Sequence, residues 1–173
     1  MPFVPKFIQD LFLKSDLRTN CSGLFKEVAK GLPGFSVPNL TANELIEEIT
    51  NEKQWKKIGQ GEKFGPQAAL HASEGYLVVA VLRAADHKQA KLNPKTHNYD
   101  IPYTYEHGHI AIVLSEAVKG YPYVISGSKV PIAQSGGSKI VTVDVVWRKV
   151  DAPNVTYYRT LNTYQELMKP KVP

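Results

Sequence analysis

The stretch Asn20-Cys21-Ser22-Gly23 holds the only cysteine of the chain, and the residues after it, LFKEVAKGL, carry apolar groups at helical spacing. A thiol in the first turn of a helix meets free backbone N–H groups and the positive end of the helix dipole. Both favour the thiolate, which is the nucleophilic form. A thiolate needs a base, and the base needs a third group to orient it. Five histidines are available: His71, His87, His97, His107 and His109. His71 falls in a helical pattern, and His87 and His97 in a long aperiodic stretch, so a structural or solvated role is the simpler reading for each. His109 is different, because it opens the apolar run HIAIVLS directly after a glycine that permits close approach of another chain or a substrate. Strand alternation sets His109, Ala111, Val113 and Ser115 on one face, and Ile110, Ile112 and Leu114 on the other. A histidine at the mouth of a buried strand, with small neighbours, is placed to meet the helix of Cys21. A second reading of the same residues pairs His107 and His109 as ligands of one metal ion. Cys21 would then be a lone sulfur ligand and Glu106 a lone carboxylate, so the expectation is no metal.

The elements that must position these groups change period along the chain. A short amphipathic helix with Phe7, Ile8, Leu11 and Phe12 on one side comes first. The helix of Cys21 runs to about Lys30 and stops at Gly31 and Pro33-Gly34. Thr41 and Glu44 form a capping-box pattern for a second helix burying Leu45, Ile46 and Ile49. A turn over Gly59–Gly65 leads to a third short helix with Pro66 at its start. From there strands follow: Tyr76–Ala84, His109–Ser115, YPYVIS, KIVTVDVVWRKV and VTYYRTL. Helices first and strands afterwards predict an α+β domain, N-terminal helices packed on a mainly antiparallel sheet. The segment Asp86–His107 has no clear period, which for a segment of that length points to a functional role.

The whole of 1–173 reads as a single domain with 43% hydrophobic and 21% charged residues, the balance of a globular protein. One cysteine excludes an internal disulfide. No run reaches the roughly eighteen apolar residues of a membrane span, and the opening MPFVPKFIQDLFLKSDLR lacks the layout of a secretory signal. The formal charge of +5 favours anionic partners. The lysines are scattered in small groups (Lys53, Lys56 and Lys57; Lys88, Lys91 and Lys95) without an RNA-reading motif, so nucleic acid is not the expected partner.

The motif NCSGLFKEVAKGL resembles the nucleophile motif of NlpC-type cysteine peptidases, with Asn20 where an aspartate is usual, and GHIAIVLS resembles their Gly-His-apolar strand. Together with PN..AN..I..I and G.LVVA.L, the pattern over Asn20–Ser128 is similar to the first family of type VI secretion amidase effectors, with a weaker echo through VVW and YY. The resemblance implies a papain-like (NlpC-type) fold with Cys21 as nucleophile and His109 as base. It implies a third residue on the following strand, where Ser126 matches. Ser22, with the N–H of Cys21, would form the oxyanion hole, and Gly108 would lie beside the substrate. Also implied are hydrolysis of the peptidoglycan peptide stem between D-glutamate and meso-diaminopimelate, no cofactor, and a cognate immunity protein as partner. Such a protein is made in the cytoplasm without a signal peptide and acts in the periplasm of a target Gram-negative cell; a monomer is expected. The segment Asp86–His107 is longer than the turn expected there, which bears on substrate choice. A phage or housekeeping wall hydrolase, a Cys-His deamidase or acyltransferase acting on a host protein, and a binding domain with a structural Cys21 are the competing readings.

Overall fold

The computed structural model describes residues 6, 8, 10, 21–51, 53–87, 95, 108–126, 139–147 and 149–169. The expectations for Phe7, Leu11, Phe12, His97, His107 and nearly all of the Asp86–His107 segment fall outside these residues. Helix α1 (Cys21–Lys30) buries Leu24, Phe25, Val28 and Ala29, a stripe at three- and four-residue spacing. Helix α2 (Ala42–Thr50) starts at the capping box read from the sequence: Thr41 and Glu44 each bond the other's backbone N–H, and Leu45, Ile46 and Ile49 face inward. Helix α3 (Gly65–Ser73) has Pro66 in its first turn, where a missing N–H costs nothing.

Six strands form one antiparallel sheet: β1 (Trp55–Gln60), β2 (Tyr76–Leu82), β3 (His109–Val118), β4 (Tyr121–Ser126), β5 (Lys139–Thr142) and β6 (Thr156–Thr163). Their spatial order is β1-β6-β2-β3-β4-β5. Strand β2 is central and buried on both faces, which explains its unbroken apolar run. Strands β3 and β4 join through Lys119 and Gly120, both at positive φ (50° and 83°), the backbone of a tight two-residue hairpin turn.

Helices cover both faces. On the first, α1 and α2 pack Leu24, Phe25, Val28, Leu45 and Ile46 against Val79, Val81, Ile110, Ile112 and Ile125. On the second, Ala68 of α3 and Trp147 pack against Val78, Ala80, Ala111, Val113, Val124 and Tyr157. The alternation of β3 therefore falls as its sequence pattern predicts.

Two segments differ from expectation. The run KIVTVDVVWRKV does not continue as a strand: β5 ends at Thr142, and Val143–Val146 form a short helix, α4. The β4–β5 register pairs Tyr123 with Thr142, so the next partner of the ladder would be Pro122, which has no N–H to donate. The chain turns instead, and Val143 enters the second core. Strand β1 has no counterpart in the sequence pattern, and its last residues, Gly59 and Gln60, lie where a turn is expected. A break in register between Lys57 and Gly59 disrupts its alternation. Among the described residues no helix is long and apolar enough to cross a membrane.

Candidate active site

Cys21 is the first residue of α1, and the stripe of Leu24, Phe25 and Val28 presses that helix onto the sheet. His109 is the first residue of β3 and pairs with Leu82 at the end of β2. The side chains of Cys21 and His109 are hydrogen-bonded to each other. Burial pushes the thiol's pKa up, but the charge of His109, its hydrogen bond, and the backbone N–H groups of Ile110 and Ser22 together outweigh burial. The thiol is held below its ordinary value of 9.0, which favours the thiolate.

The other side of the imidazole is fixed by Ser126. Nε2 of His109 is hydrogen-bonded to the Ser126 hydroxyl, and both residues are buried. The register explains this meeting. One step beyond the Ile112–Ile125 pair, Ser126 lies across from Ala111, diagonal to His109 on the same face and within reach of a long side chain. With Nε2 turned to Ser126, Nδ1 is the nitrogen left for the thiol. For Nδ1 to take a proton, Nε2 must carry its own and donate it to the serine oxygen. Trp147 closes the outer side of this pair: its ring stands edge-on to the imidazole, centroids 5.4 Å apart and planes at 80°. It is itself buried.

Gly108 serves the fold. A Cβ there would lie 2.6 Å from Oδ1 of Asn43 and 2.7 Å from Cδ1 of Ile46, so only glycine lets α2 come this close. Its N–H donates to Asn43 Oδ1 at 2.7 Å and is thus turned to α2 rather than to a substrate carbonyl. Ser22 contributes its backbone N–H at the sulfur. The sequence reading did not find Asn43, Trp147 or the N–H of Ile110. Asn43 stood in the PN..AN..I..I pattern and Trp147 in the VVW echo, both without a role.

The remaining histidines in the described residues lie elsewhere. His71 on α3 bonds Glu74 through Nδ1 at 2.8 Å. The buried side chain of His87 faces Asp151, with Nδ1 to Oδ2 at 3.4 Å. Among the described residues no three His, Cys, Asp or Glu side chains gather in a way that would hold a metal ion. His107, the other half of the metal reading, is outside them.

A helix-start thiol, a strand-start imidazole and a buried hydroxyl in this arrangement have the chemistry that nucleophilic catalysis requires. No family model matches the chain, and no curated protein matches it.

Proposed function

We propose that this chain is a papain-like (NlpC-type) cysteine amidase that hydrolyses the peptide stem of peptidoglycan. The bond would be the γ-D-glutamyl–meso-diaminopimelate amide, and the protein an antibacterial effector countered by a cognate immunity protein. The observation that carries the reading is the relay from half-buried Cys21 to buried His109 and Ser126, with the thiol held below its ordinary pKa. The resemblance of NCSG and GHIAIVLS to the effector family supplies the substrate. The formal charge of +5 suits a wall polymer rich in carboxylates.

In this mechanism the Cys21 thiolate attacks the amide carbonyl carbon, and the oxygen's developing charge meets the N–H groups of Cys21 and Ser22. The His109 imidazolium gives its Nδ1 proton to the departing nitrogen as the C–N bond breaks, leaving a thioester. Nδ1 then takes a proton from water, and the resulting hydroxide attacks the thioester. Loss of the thiolate yields the carboxylic acid and the starting ion pair. Ser126 holds the ring in one tautomer throughout.

Digestion of Gram-negative sacculi by the wild type and by Cys21→Ala, followed by mass spectrometry, tests the reading. New stem fragments produced only by the wild type are expected. An intact sacculus with a thiol that reacts rapidly with iodoacetamide would move the chemistry to a protein substrate. An intact sacculus with an inert thiol would overturn catalysis.

A further inference from the structure

Strands β1 and β6 set two cations face to face. Lys56 pairs directly with Arg159, so both side chains leave the same face of the sheet with Cβ atoms about 5 Å apart. That face is the α3 side, because Arg159 is in turn the partner of Val78 in the second core. Like charges directly opposite each other destabilise a sheet, and a carboxylate between them would relieve the cost. Among the described residues, neither Lys56 nor Arg159 forms an ion pair with a carboxylate. Glu74, two residues before Tyr76, bonds His71 at 2.8 Å instead.

Arg159 is also held in place. Its guanidinium carbon lies 4.1 Å from the centroid of the Tyr76 ring, and Nη1 donates to the carbonyl of Thr160 at 2.9 Å. The Tyr76 ring is backed in turn by His71, edge-on with centroids 5.9 Å apart. A stacked guanidinium keeps its in-plane N–H groups for a carboxylate and has little rotamer freedom left to lose on binding one. Beside it stands exposed Lys56 on a flexible stem. The pair is remote from the candidate active site. Val78 lies four residues from Leu82, the partner of His109, which is about 13 Å along β2. Strands β6 and β1 carry the cations further still from β3. One ligand that engages both places must be a polymer, with carboxylates repeated along it, rather than a single stem.

We propose that Lys56 and Arg159 form an exosite that grips the peptidoglycan polymer through carboxylates of stems other than the one being cut. The inference takes its ligand from the peptidoglycan reading. It gives the like-charge pair a purpose: the sheet gives up some stability at this corner, and the bound polymer supplies the missing counter-charge.

Lys56→Glu separates this role from a structural one, because it turns the like-charge pair into an ion pair. The variant should gain about 2 °C in Tm. Co-sedimentation with Gram-negative sacculi, measured in Cys21→Ala so that nothing is cut, should weaken about tenfold on adding Lys56→Glu. Arg159→Gln should weaken it as well, and added salt should weaken it without either change. In the active enzyme, Lys56→Glu should lower hydrolysis of sacculi relative to that of the soluble peptide L-Ala-γ-D-Glu-meso-diaminopimelate by a similar factor. Co-sedimentation that survives Lys56→Glu, or that is equal on sacculi whose carboxylates have been converted to amides, overturns the exosite. Cleavage of the peptide would leave the amidase reading standing in that case. Co-sedimentation that depends on Lys56 and on the carboxylates, by a wild type that cuts neither substrate, retains the exosite and overturns the amidase reading instead.

Discussion

The two faces of the sheet are built differently. Under α1 and α2 the core is mostly hydrocarbon of high volume: Phe25, Leu24, Ile46, Ile110 and Ile112 interlock, and the indole of Trp55 and the phenol of Tyr158 are the polar tips among its buried residues. Under α3 and α4 the strands present Ala80, Ala111, Val78 and Val113, and apart from Leu82 the large buried groups there carry polar atoms: Tyr157 and Trp147 in the core, His109 at its edge beside Ser126. Cys21 belongs to the first face through its helix, and His109 to the second through its strand parity. They meet because both sit at element starts, where a sheet no longer separates its two sides. A rigid apolar face positions the thiol, while a face of small residues leaves room for the imidazole, its serine and its indole.

The largest effect should come from cutting the bridge between the faces. His109→Ala is expected to lower kcat/KM on stem peptides by about four orders of magnitude while leaving the protein folded. The pH dependence of iodoacetamide alkylation shows what the imidazole does to the thiol. In the wild type the midpoint should lie below 9.0, because the charge and hydrogen bond of His109 act against burial. Without His109 burial remains, so the midpoint should rise, and alkylation at neutral pH should slow. An unmoved midpoint would mean that the helix start alone activates Cys21, and that the second face is not needed for the nucleophile.

Next in size is the contrast in packing. Phe25 is 1% exposed and stacks at a tilt on Trp55 with centroids 6.0 Å apart. Phe25→Ala should cost about 3–5 kcal/mol in urea unfolding, since large side chains surround the cavity it leaves. On the second face the sensitive direction is the opposite one: Ala111→Leu should cost about 1–3 kcal/mol by overpacking. Equal tolerance of both faces to added volume would show that the second face has slack, and that the small residues are not what holds the imidazole in place.

The sequence carried much of this division, and the limits of what it carried are physical. The parity of HIAIVLS is local, and its two faces lie where period-two alternation puts them. The Thr41–Glu44 capping box is equally local, a reciprocal bond within four residues. Thr163 and Glu166 make the same box before the short helix α5 (Tyr164–Leu167), an equally local signal. Strand β1 was not legible, because an edge strand with a bulge needs neither alternation nor apolar residues on its open side. Helix α4 was not legible either: VDVV is β-branched and favours a strand, and only Pro122, on another strand, ends the ladder. Asn43 and Trp147 reach the site through contacts across more than thirty residues of sequence, which no local pattern encodes.

The smallest expected effect sharpens the comparison most. Tyr157 is fully buried in the second core, and its hydroxyl makes no hydrogen bond among the described residues. Burial first, then the charges of Tyr121, Asp144 and Glu62, push its pKa up, so the group stays neutral at any physiological pH. A buried neutral hydroxyl without a partner has lost its water and gained nothing in exchange. Tyr157→Phe keeps the ring and removes that group, and should therefore stabilise the protein by about 1 kcal/mol, or roughly 2–4 °C in Tm for a chain of this size. Activity on stem peptides should be unchanged, because Tyr157 touches neither His109 nor Ser126 through any hydrogen bond. A loss of stability would instead mean that the hydroxyl is satisfied in solution. A gain would place the unsatisfied polar groups of this protein on the face that carries the base.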